Sequence, residues 1–298
     1  MRGPGKSGGL TVRGARSIIA GMKHLATALV VALSFLPVST FAQVAAALPP
    51  GEKDAKARLN SSSRHGEYAK IALPGGGAQV NAYVVFPERK EKAPVVIVIQ
   101  EIFGLSDWIR SVADQLAADG FIAIAPDLLS GKGPNGGGTE AFADRDSVTK
   151  AVRDLKPDDV DKMLNAVREY GMKLPASNGK TATVGFCWGG MTSFRYATTQ
   201  PELNAAVVYY GTSPDTASLD KIKAPVLGIY GSDDARVNNT IKPAEDKMKQ
   251  LNKAYTPKMY EGAGHGFLRQ QDGKEGANKK AAEQAWPETI KFLRENTK

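Results

Sequence analysis

Apolar and polar positions along this chain alternate between two regimes. Residues 94–100, 121–125, 205–210 and 226–230 are short apolar runs, the pattern of strands buried on both faces of a parallel sheet. Between the first two, Ile109, Val112, Ala113 and Leu116 recur on one helical face after Ser106, a capping residue, and before Gly120, a natural stop. Similar reasoning predicts helices near 158–170, 189–199, 241–251 and 281–295, and strands at 181–184 and 257–260. Residues 68–73 and 80–86 flank Pro74-Gly75-Gly76-Gly77 and predict an antiparallel pair. Strand following helix in this way implies an α/β fold, a doubly wound, mostly parallel sheet flanked by helices, with ligand sites at the carboxyl ends of the strands.

Ahead of that alternation the pattern changes. Residues 1–42 contain no Asp or Glu, carry Lys23 just after Met22, run apolar from Leu25 to Leu36 and finish Thr40-Phe41-Ala42. A basic head, a short apolar core and a small-residue site form a secretory signal peptide cut after Ala42, with Met22 an alternative start to Met1. The core is too short for an ordinary membrane span, so the reading is a periplasmic or secreted protein with no stable membrane insertion after cleavage. The rival reading is an uncleaved anchor. Residues 43–65 lack a clear period and are expected to be a mobile mature N-terminus. One domain, 66–298, is then expected to hold the fold.

The leader also changes the meaning of the charge. Five cations of the chain lie in it, so the remainder carries +3 of the total +8. No aromatic residues interleave with a basic patch, and nucleic acid is not an expected partner. The glycines of 131–138 match no phosphate-binding fingerprint.

Chemistry concentrates at Val184-Gly185-Phe186-Cys187-Trp188-Gly189-Gly190, where the only cysteine stands between glycines directly after an apolar run. This is the shape of a nucleophile elbow, a sharp strand-to-helix turn whose flanking positions must lack side chains. A lone thiol in an exported chain cannot form an internal disulfide, and a chemical role explains its presence. Gly231-Ser232-Asp233-Asp234 follows a later strand, and His265 sits in the glycine-rich loop after the next. The order nucleophile, acid, base is the one α/β-hydrolases use. Of three histidines, His24 lies in the leader and His65 precedes the first strand, leaving His265 as the general base. One Cys and one His so far apart make no zinc pattern, and no metal or other cofactor is expected.

Taken together, Gln100-Glu101-Ile102-Phe103-Gly104-Leu105, the elbow at Cys187, Gly231-Ser232-Asp233-Asp234 with Val237, and His265-Gly266-Phe267 resemble the dienelactone hydrolase family, over roughly residues 68–292. The resemblance implies a Cys187-Asp234-His265 triad. It selects Asp234 over Asp233 because the family's acid lies three residues after the glycine and three before the valine. It also implies that Glu101 pairs with the resting thiol and assists its ionisation. The backbone N-H groups of Ile102 and Trp188 occupy the two positions this fold uses for an oxyanion hole. Family substrates are small esters and lactones, often bearing a carboxylate held by arginines. Arg269 matches the His-x-Phe-x-Arg pattern, Arg145 falls near a second such position, and Tyr210 is a candidate for the pocket wall. Gly266 departs from the Ser common at its position, which removes one polar contact to substrate.

The leading expectation is thus an exported ester or lactone hydrolase of carboxymethylenebutenolidase type. Two alternatives differ in class: a non-catalytic binding protein that retains the fold, and a thiol acyltransferase.

Overall fold

The computed structural model describes residues 47–298; the leader and the cleavage point after Ala42 lie outside the described residues. The unit that carries the sheet runs over Val44–Lys298, starting earlier than Gly66. Where no element was expected, a 3-10 turn at Glu52–Asp54 leads into α1 (Ala55–Asn60). This strap is fastened by long-range contacts that no local pattern records. Trp108 Nε1 donates to the Pro50 carbonyl at 3.1 Å, Gln271 Nε2 to that of Pro49 at 2.9 Å, and Ala55 is buried.

The sheet begins with β1 (Gly66–Ala72) and β2 (Gln79–Val85), antiparallel as expected. It continues through β3 (Ala93–Ile99), α2 (Asp107–Ala118) and β4 (Ile122–Pro126). Ser106 caps α2 by accepting from the Ile109 N-H. After a loop come α3 (Arg145–Arg153), α4 (Pro157–Lys173), β5 (Ser177–Phe186), α5 (Trp188–Thr199) and β6 (Ala205–Tyr209). Then follow β7 (Val226–Asp233), α6 (Ala235–Asn238), α7 (Ile241–Gln250), β8 (Tyr255–Gly264) and α8 (Ala277–Asn296).

Spatial order is β1-β2-β4-β3-β5-β6-β7-β8, antiparallel only where β2 meets its two neighbours. Each central strand serves two cores, because successive side chains leave opposite faces. β3 sends Val96 and Val98 to a core shared with α2 and α8. Its Val95, Ile97 and Ile99 enter the core under α4, α5 and α7. Burial on both faces is why these strands read as unbroken apolar runs.

Two departures from the expected elements matter for function. β8 extends to Gly264 rather than ending near Tyr260, because its last residues still pair with β7, Gly264 opposite Asp233. The helix α3 was not anticipated: only Val148 and Val152 are buried in it, against Leu129. Its capping box, Asp144 with Ser147, was the available signal. Among the described residues no helix is long and apolar enough to cross a membrane.

Candidate active site

Cys187 stands between β5 and α5 with φ 55° and ψ −114°. A non-glycine residue held there stores on the order of 1–3 kcal/mol of strain, which its surroundings must impose. The imposing contacts are the Cys187 N-H donating to the Tyr209 carbonyl at 3.0 Å and the Cys187 carbonyl accepting from Met191 at 3.1 Å. The glycine frame is a steric requirement. A Cβ on Gly185 would lie 1.9 Å from the Gly189 carbonyl oxygen, and one on Gly189 would lie 2.3 Å from those of Ile99 and Gln100.

Asp234 and His265 follow β7 and β8, parallel neighbours whose ends are in register, so the two side chains emerge side by side. The acid loop is tied down by Asn238 Nδ2, which donates to the Gly231 carbonyl at 2.9 Å. His265 Nδ1 lies 2.6 Å from Asp234 Oδ2, and its Nε2 lies 3.1 Å from Cys187 Sγ. Asp233 instead pairs with Lys274 in solvent. Burial pulls the His265 pKa down, but Asp234 and the Cys187 sulfur outweigh it and raise the imidazole to about 9. The ring therefore holds its proton above the ordinary imidazole range.

Glu101, expected against the resting thiol, makes a different bond. Its Oε2 accepts from Arg269 Nε at 2.7 Å, and its Oε1 is buried without a partner. Burial pushes its pKa up, opposed first by Arg269 and then by His265 and Tyr210. The sulfur's hydrogen bond goes to His265, so the resting Glu101–thiol pairing is not made. The physical reason is Arg269, a stronger partner for a buried carboxylate than a thiol.

The three substrate candidates make contacts within the protein. Arg269 is held by Glu101 and by Glu52 of the N-terminal strap. Arg145 pairs with Glu52 at 2.9 Å and stacks 3.5 Å over the Phe103 ring. Tyr210 is fully buried, its ring in an edge-type contact with His265 at 5.2 Å between centroids. Glu52 was missed because its partners are far away in sequence.

Above the thiol lies a cavity of about 350 Å³ lined by Cys187, His265, Ile102, Trp188, Arg153 and Arg236, among others. Ile102 and Trp188 line this cavity together with the thiol, and the first turn of α5 starts at Trp188, which directs the positive end of the helix dipole there. Arg153 and Arg236 had not been singled out by sequence. A larger cavity of about 490 Å³ lies between the strap and residues 269–273 and is lined by no cysteine, serine or histidine.

The arrangement suits nucleophilic attack by a thiolate on an acyl carbon with proton return from an imidazolium. A family model described as the dienelactone hydrolase family matches residues 80–297. A Salmonella typhimurium protein with the provisional name carboxymethylenebutenolidase is 31% identical over 236 residues, covering 74% of this chain and 85% of its own. One from Saccharolobus solfataricus, similarly named, is 29% identical over 77% of this chain and 99% of its own. Among solved structures, a protein from Klebsiella pneumoniae titled as a dienelactone hydrolase, also provisionally, has a TM-score of 0.66 and 27% identity, over 77% of this chain and 99% of that one.

Proposed function

The chain belongs to the dienelactone hydrolase family, of the α/β-hydrolase fold, and from that premise we propose that it hydrolyses small esters or lactones through Cys187, His265 and Asp234. The observation that carries this reading is the continuous relay from Asp234 Oδ2 through both ring nitrogens of His265 to Cys187 Sγ.

Chemistry follows from the charges. The thiolate attacks the acyl carbon, and the carbonyl oxygen takes up negative charge facing the N-H groups of Ile102 and Trp188, each such donor being worth about 3 kcal/mol in the transition state. Collapse breaks the bond to the leaving oxygen, which takes the proton from His265. The resulting thioester is then hydrolysed by water that gives its proton to His265, releasing the acid and restoring the thiolate–imidazolium pair. Asp234 keeps Nδ1 protonated and offsets the ring's charge. Glu101 acts at one remove, through Arg269 and through its charge beside His265.

The leader composition supports export, with the mature chain starting at Gln43 in the periplasm or outside the cell. N-terminal sequencing of exported protein tests this. The hydrolase reading is tested by assaying purified protein on short aryl esters and carboxylated lactones. Turnover that disappears in Cys187→Ala supports it, and undiminished turnover in that variant overturns it.

A further inference from the structure

The cavity over Cys187 holds two guanidinium groups that make no ion pair among the described residues. Arg153 ends α3 and Arg236 sits in α6, both are exposed, and both line the space that contains the thiol. The acids nearest them in the chain are committed elsewhere. Asp154 pairs with Lys150 at 2.6 Å, Asp233 with Lys274, and Asp234 with His265. The opposite holds for the arginines that the family pattern nominates. Arg269 and Arg145 share the carboxylate of Glu52, Arg269 also holds Glu101, and neither lines this cavity. An acidic side chain of the protein itself thus occupies the site a substrate carboxylate was expected to fill.

We propose that Arg153 and Arg236 determine specificity in this cavity, where they receive a carboxylate borne by the substrate while Glu52 occupies Arg145 and Arg269. A guanidinium fork matches a carboxylate in two hydrogen bonds, and two unneutralised forks beside one thiol concentrate anions there. Placement supports the role. Val148 and Val152 hold α3 against Leu129, and Trp188, the residue that follows the nucleophile, packs on the same small cluster. Val237, fully buried, anchors the turn that carries Arg236.

The inference rests on the proposed hydrolase reading for its substrate, but its test need not. Cys187 is the only cysteine, so alkylation reports on this cavity alone. Iodoacetate and iodoacetamide differ little in size and differ in charge. At one pH, the ratio of their alkylation rates cancels any change in thiol reactivity and leaves the cavity's preference for an anion. The double variant Arg153→Gln/Arg236→Gln is expected to lower that ratio about tenfold, and Arg153→Lys/Arg236→Lys to retain most of it. A matched ester pair, mono-4-nitrophenyl adipate against 4-nitrophenyl hexanoate, should show the same fall in its ratio of kcat/KM, carried by KM. A pair charged on the leaving group, 4-acetoxybenzoate against 4-acetoxytoluene, tells which end of the substrate meets the arginines. Alkylation ratios that stay within about twofold of the parent in the Gln double variant overturn the proposal, whatever the esters do. If the alkylation ratio falls while the parent turns over no ester, the arginine assignment stands and the hydrolase reading is the one that fails.

Discussion

Asp234 and Glu101 are both buried carboxylates that act on His265, yet they do so in different ways. Asp234 touches the ring, with one oxygen 2.6 Å from Nδ1, at the end of a strand whose neighbour supplies the histidine. Glu101 reaches the base only through space, holds Arg269 with one oxygen and leaves the other without a partner. Contact fixes orientation and tautomer; proximity adjusts charge. The first is hard to replace by anything else in the site, whereas the second is shared with Arg269 and Tyr210.

The sharpest way to break this comparison is Asp234→Asn, which keeps the shape but allows the wrong tautomer. It is expected to lower turnover by at least about a hundredfold, while Asp233→Asn, whose carboxylate faces Lys274, stays within about tenfold of the parent. Equal losses in the two would erase the distinction between touching and adjoining acids. Glu101→Gln should cost about tenfold and move the alkaline limb of the rate profile to lower pH, because a negative neighbour of the imidazolium is gone. Since burial already disfavours the charge on Glu101, the thermal midpoint should stay within about 4 °C, or roughly 1 kcal/mol for a chain of this size.

A smaller effect follows from the raised pKa of His265. The folded protein holds this proton up to about pH 9, whereas the unfolded chain releases it near 6.5. The group's contribution to stability is therefore complete below about pH 6.5 and is lost as pH rises through about 9. Denaturant titrations of the parent minus those of Asp234→Asn should show that decline, and a flat difference would count against the ion-paired ring. Smallest is Glu52→Gln, which loosens the strap. Glu52 is over a third exposed, so its pairs with Arg145 and Arg269 are screened and the loss should be no more than about 1 kcal/mol, read as a thermal shift.

Legibility from sequence followed the same division between touching and remote parts. Cys187 and His265 each sit in a short motif at a strand end that local spacing identified, the family resemblance chose Asp234 over Asp233, and the sheet register brought the three together. The sheet itself was legible because strands buried on both faces leave continuous apolar runs. Glu52, Arg145 and Arg269 form a cluster from three distant segments, and no local pattern states which acid meets which base. The helical state of residues 145–153 escaped notice because a helix with two buried aliphatic side chains barely modulates hydropathy. Arg153 was hidden with it.

The small cluster under α3 makes that helix a cassette. Leu129, Val148 and Val152 form its buried seat, joined to the core under α4, α5 and α7 through the partly buried Leu155 and Trp188. Swapping the exposed positions Asp146, Lys150 and Arg153 while keeping the rest of 145–153 should leave the elbow and its relay untouched. A lineage, or a designer's library, can therefore retune what enters the cavity by grafting one short helix, without renegotiating the chemistry beneath it.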